Sequence, residues 1–188
     1  MAGPRGIALA LACAGAIAVG SAAVFWLADR ASPVKAAGPA AWTEVSWPFP
    51  IDEWGTGKAF QCSATDCGNA VDVYLRSKIG FCNCATGVAD DSELERLSDF
   101  NLLGGKPVAL ASGGPVDIAW MKGRSRAYAM SGFLDRGSMI SVAFSNDCDA
   151  LVATAVLRQG RASDIEARVI AFLNSEIVVR WAKAELGL

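Results

Sequence analysis

Hydrophobic and polar positions alternate along much of this chain, and each change of period marks a change of element. Across residues 71–79, Val71, Val73 and Leu75 fall on one side while Asp72 and Arg76 fall on the other. That two-residue period predicts a half-buried strand. Lys58–Cys62 reads as a short strand before it, and Ser63 to Asn69, with Asp66 and Gly68, has the chemistry of a turn. The segment Phe81-Cys82-Asn83-Cys84 is expected to continue the strand beyond a bend at Gly80. The alternation then stops. Asp90 is placed to cap, Glu93 sits three residues on, and DDSELERL predicts a short helix.

From Gly104 the period returns to two. Residues 107–111 form a short apolar run and 113–115 a turn. Val116, Ile118 and Trp120 alternate with Asp117 and Ala119. The basic stretch KGRSR, 122–126, is expected to be the turn that joins this strand to 127–133. Another turn at 135–138 leads to MISVAFS and, past Asn146-Asp147, to CDALVATAVL. Both are rich in β-branched residues. At the C-terminus the period lengthens. Ser163 is placed to cap, with Glu166 three residues later, and Ile165, Val169, Phe172, Leu173, Ile177, Val178 and Trp181 recur at helical spacing. Short turns favour antiparallel pairing over βαβ crossovers. The pattern therefore predicts an α+β domain over residues 47–188: an antiparallel twisted sheet with one long C-terminal helix packed on a face.

Ahead of that domain the pattern is of another kind. Residues 6–28, GIALALACAGAIAVGSAAVFWLA, carry no charge. As a helix they would span roughly 34 Å, enough to cross a bilayer. The stretch reads as an uncleaved signal anchor, with Phe25 and Trp26 suited to the interface. The rival reading is a cleaved signal peptide: Arg5 as the basic region, residues 7–19 as the apolar region, Ser21-Ala22-Ala23 as the cleavage site. Either way the domain is expected outside the cytoplasm, at the inner membrane facing the periplasm if anchored, or free in the periplasm if cleaved. The flanking charges, Arg5 against Arg30 and Lys35, scarcely bias orientation, so a cytoplasmic domain stays open. Residues 29–46 are rich in Pro, Ala and Gly and read as a tether. Trp42, Trp47 and Trp54 are expected to pack a lid onto the core in preference to lying on lipid headgroups.

Composition narrows the chemistry. The chain has 188 residues, a formal charge of −2 and no histidine. Histidine-based triads and dyads, and imidazole metal or haem ligands, are excluded. The sequence contains neither phosphate- nor dinucleotide-binding glycine motif, and its acidic balance makes no case for nucleic acid. No cofactor is implied. The acidic run Asp90, Asp91, Glu93, Glu95 lacks the spacing of a calcium loop and reads as helix capping.

Four of the six cysteines fall between Gln61 and Cys84; Cys148 lies far downstream, and Cys13 lies in the apolar leader without a good lipobox. In an exported domain the default is disulfides. Five cysteines make two bridges and leave one over. Cys62 and Cys67 flank a turn and are expected to pair. Cys82 and Cys84 lie too far apart on a strand to bond each other. One of them should therefore bond Cys148, closing a long loop worth ~4 kcal/mol, and the other should stay reduced and at least partly buried. Two alternatives use the same residues. Cys62, Cys67, Cys82 and Cys84 as four thiolates would suit zinc or a soft ion such as Cu(I); a leftover thiol or strained C-x-C would suit redox chemistry. Finally Lys122, Arg124 and Arg126, with Trp120 and Tyr128 alongside, are a candidate contact for an anionic partner or lipid headgroups, against the plainer reading of a solvated hairpin tip. These features point to a membrane-tethered, disulfide-stabilised interaction or accessory module with an unidentified protein partner.

Overall fold

Among the described residues eight strands form one antiparallel sheet, built from the alternating segments and the continuous β-branched runs between Trp42 and Leu157. The computed structural model describes residues 41–104, 106–131 and 137–188. The predicted membrane-spanning segment, 6–28, and most of the predicted tether lie outside the described residues. Among the described residues no helix is long and apolar enough to cross a membrane.

The strands are β1 (Trp42–Val45), β2 (Lys58–Cys62), β3 (Val71–Lys78), β4 (Lys106–Ala109), β5 (Gly114–Ile118), β6 (Met121–Ser131), β7 (Ser138–Asn146) and β8 (Asp149–Leu157). Their order is β1-β2-β3-β8-β7-β6-β4, and β5 shares the outer edge of β6 with β4. β8 inserts between β3 and β7, so the strongest apolar strands take the centre. One side of the sheet carries Phe60, Val71, Val73, Leu75, Ile140, Val142, Phe144, Ala153 and Ala155, packed against Val169, Phe172, Leu173 and Val178 of two C-terminal helices. The other is covered by α2 (Asp91–Leu97), the 3-10 turn Phe100–Leu103 and the segment around Trp47 and Phe49.

α2 begins as its sequence predicts: Asp90 is extended and its carboxylate accepts the Glu93 amide at 2.9 Å. A four-residue helix, α1 (Ala64–Cys67), fills the predicted turn; Ser63 Oγ accepts from the Asp66 amide.

Five expectations are corrected. The C-terminal helix is two helices, α3 (Glu166–Leu173) and α4 (Glu176–Glu185). Asn174 makes the break. Its Nδ2 donates to the carbonyls of Ile170 and Asp117, and its Oδ1 accepts from the Ala119 amide, so tertiary hydrogen bonds to the β5–β6 turn stop helix propagation. Ile177 is consequently 43% exposed although it fits the helical spacing. Ser163 is not the cap: it lies in the 3-10 turn Ala162–Asp164, and Ile165 precedes α3 with no side-chain cap. KGRSR is not a turn. It lies inside β6, the longest strand, and the turn falls earlier, at Ala119 with φ 53° and Trp120. Gly123 marks this crowding, because a Cβ there would sit 2.2 Å from the Ala143 carbonyl oxygen. Phe81 to Cys84 does not extend β3; after Gly80, at φ 70°, the chain leaves the sheet. Finally β1 falls within the predicted tether. Trp42 pairs with Cys62 in register and stacks its ring on Phe172 at 4.3 Å, burial that makes a strand of this Pro/Ala-flanked stretch.

Candidate functional site

β3 separates two cysteine groups. Cys62 pairs in register with Val71 at one end of β3, whereas Cys82 and Cys84 follow its other end beyond Lys78. Eight extended residues make that separation about 26 Å, so four thiolates do not converge. Cys62 and Cys67 are joined by a disulfide, and Cys84 is joined to Cys148 across 64 residues. Among the described residues Cys82 is the free thiol; it is 8% exposed and packs with Val88, Leu94, Leu97, Ala143, Ala150 and Val152. Its amide donates to the Cys148 carbonyl at 2.9 Å, holding the loop against the β7–β8 turn. Burial pushes the thiol above its ordinary pKa, against a hydrogen bond with Ser145. A nucleophilic or metal-binding thiol requires the opposite shift.

The basic residues singled out from the sequence alternate along β6 and lie on one face with acidic partners. Lys122 ion-pairs with Asp117. Arg124 ion-pairs with Asp91 and donates to the Gly113 carbonyl at 2.9 Å. Arg126 bonds Glu95 at 2.7 Å and donates to the Ala111 carbonyl at 2.7 Å. The guanidinium of Arg124, with the Gly113 amide, holds the Asp91 carboxyl below the usual carboxylate range. The acids read from the sequence as helix capping thus also lace α2 to β6.

The densest electrostatic feature was not singled out by the sequence reading. Arg76 and Lys78 sit two apart on the β3 face away from α3 and α4; Arg76 is only 1% exposed. Asp99, after α2, accepts from Arg76 Nη2 at 2.8 Å and Nε at 3.2 Å, and from Lys78 Nζ at 2.9 Å. Asp52 accepts from Arg76 Nη1 at 2.8 Å. Trp47 and Trp54 lie over the two cations, at 5.8 and 5.3 Å from ring centroid to charge. Burial works to raise the Asp52 carboxyl, but the Trp54 amide, Arg76 and Lys78 outweigh it and hold the group low. Burial likewise opposes the charge on Arg76, and Asp99 and Asp52 reverse it. Two buried cations meet two carboxylates, so the cluster clasps the Trp47–Trp54 segment to the sheet. The sequence signal was the row Asp72, Tyr74, Arg76, Lys78, long polar side chains at strand period. What buries them is Asp99, distant in sequence.

At the other end of β3 the surface opens. Thr43, Gln61, Asp72 and Val156 lie in one row across β1, β2, β3 and β8. A groove of about 510 Å³ runs over the polar part of this row. An adjoining cleft of about 120 Å³ is lined by Phe49, Tyr74, Leu102, Leu103 and Val156. Asp72 and Arg158 line both.

Comparison of the chain with family models, with curated proteins and with solved structures finds no match.

Proposed function

We propose that this chain is an exported binding or accessory module, held at the inner membrane by residues 6–28, facing the periplasm and acting without catalysis on a protein partner. The observation that carries the reading is the sulfur arrangement: two disulfides that need an oxidising compartment to persist, and a fifth thiol buried where it serves packing. A thiol-redox role would need an accessible thiol of lowered pKa, and a soft-metal role would need convergent thiolates; Cys82 and its neighbours supply neither.

The test pairs topology with thiol counting. Alkaline phosphatase fused after Leu188 should be active in cells, and a reporter that works only in the cytoplasm should be silent there. On purified protein, alkylation before unfolding should leave Cys82 unlabelled, and unfolding without reductant should expose it. Active cytoplasmic fusions would overturn the assignment to the periplasm. Rapid native labelling of Cys82, with disulfide-reducing activity, would replace the binding reading with a redox one.

A further inference from the structure

We infer that the cleft and groove meeting at Asp72 and Arg158 form a binding site for a free α-amino acid with a branched aliphatic side chain. The inference is independent of where the domain resides. It begins with two opposite charges that are neighbours and do not bond. Asp72 pairs in register with Val156, and Arg158 lies two residues beyond Val156. Arg158 follows directly on the last residue of β8, Leu157, and with Asp72 it lines both the groove and the adjoining cleft. Neither charge makes an ion pair with the other or with any other described residue. A carboxylate and a guanidinium that line one polar groove and the apolar cleft beside it match a molecule that carries both charges on one carbon together with an apolar substituent.

The roles follow from the chemistry of each wall. Arg158 takes the ligand carboxylate, for which a guanidinium offers two parallel donors. Asp72 takes the ammonium, and Asp66, on the same groove, adds to the negative field. Tyr74 lies in the cleft within the field of both charges; burial first, and then Asp72, raise its phenol to about 12, so it stays protonated as a donor. The apolar side chain enters between Phe49, Leu102, Leu103 and Val156. Size sets the choice among side chains. An apolar cavity of about 150 Å³ takes benzene, and this one, at about 120 Å³, suits isobutyl or isopropyl groups and is too small for an indole.

Titration of the full chain in detergent micelles with L-leucine, followed by calorimetry, tests this. Leucine should bind with a Kd of about 1 mM or tighter. Isoleucine and valine should fall within about threefold of it, and tryptophan and glycine at least about tenfold weaker. Isocaproate, which lacks the ammonium, and isoamylamine, which lacks the carboxylate, should each bind at least about tenfold more weakly than leucine. Arg158→Gln should weaken leucine and isocaproate and leave isoamylamine unchanged; Asp72→Asn should weaken leucine and isoamylamine and leave isocaproate unchanged. No heat at concentrations about tenfold above the expected Kd would overturn the site. So would equal binding of leucine and its two truncated analogues, an arm that needs no variant to fold. Variants that change stability while leaving leucine affinity intact would show that Asp72 and Arg158 serve the sheet alone. Because the titration uses purified protein, its failure leaves the export reading standing, and failure of the fusions leaves this site standing.

Discussion

Beneath α3 and α4 the central strands present Val73, Leu75, Ile140, Val142, Phe144 and Ala153; one residue along the same strands, the opposite face presents Tyr74, Arg76, Ser141, Ser145 and Thr154. Both faces are buried over much of their extent, yet they are held in different ways. The apolar face is stabilised by transfer of hydrocarbon from water, a non-directional effect that scales with area. The opposite face has two apolar clusters of its own, around Leu94 and Val152 and around Tyr128 and Met139, and adds buried charges that depend on pairing. Each charge there is tolerated only while its partner is in place, because burying an ion costs several kcal/mol before its partner offsets it. The consequence is a division of labour within one sheet. Hydrocarbon on both faces supplies cohesion, and the paired charges of the second face fix where its loops dock: Asp99 fixes the exit from α2, Asp52 the Trp47–Trp54 segment, and Asp91 the approach of α2 to β6.

That contrast is broken most directly at Asp99. Asp99→Ala should cost about 4–5 kcal/mol in chemical denaturation, since it strands Arg76 and Lys78 in the interior with only Asp52 nearby. Replacing all three with Met, Met and Leu should recover most of that loss. If the triple replacement were no better than the single one, packing and not charge would govern this face. On the other face Phe172→Ala removes a ring stacked on Trp42 and in edge contact with Phe60, and should cost about 3–4 kcal/mol with no dependence on pH. A pH-dependent loss there would erase the distinction.

Acid titration separates the faces further. The folded carboxyl of Asp52 lies below its unfolded value near 3.9. Its contribution is therefore complete above that value and is lost as pH falls through the folded pKa, the range in which the unfolded chain binds more protons. Wild-type protein should lose stability below about pH 4, and Asp52→Asn should flatten that limb without altering the effect of Phe172→Ala. An unchanged acid limb would remove Asp52 from the clasp. The smallest effect is expected at Thr154, whose Oγ1 is buried with no hydrogen-bond partner among the described residues. Thr154→Val should be neutral or raise stability by up to about 1 kcal/mol, because it replaces an unpaired hydroxyl with a methyl group of similar size. A melting temperature lowered by several degrees would mean that the hydroxyl is bonded after all.

How much of this was legible varies by residue. The α2 cap was legible because Asp90 and Glu93 lie three apart and their bond is local. β2 and β3 were legible because alternation in β3 survives the insertion of charge: Arg76 breaks hydropathy but not the period. KGRSR misled because its alternation is between charges and small residues, so no apolar position reveals a buried face; β6 is a strand there because β5 and β7 flank it. Of the candidate site, the sequence offered Asp72 only as an off-face residue of a strand and gave Arg158 no role. The two come together because β8 pairs with β3 across more than half the length of the domain.

Local chemistry in the sequence determined the period of the central strands, the cap of α2, the antiparallel α+β class and the exclusion of imidazole chemistry, since each depends on neighbours a few residues apart or on composition. Tertiary structure alone decided the split of the C-terminal helix, the sheet order with β8 between β3 and β7, the choice of Cys84 over Cys82 as the partner of Cys148, and the burial of Arg76 and Lys78. The physical reason is common to these four. Each is fixed by a contact between residues far apart in the chain — Asn174 with Ala119, Val71 with Leu157, Cys84 with Cys148, Arg76 with Asp99 — and no local propensity encodes which distant group will arrive.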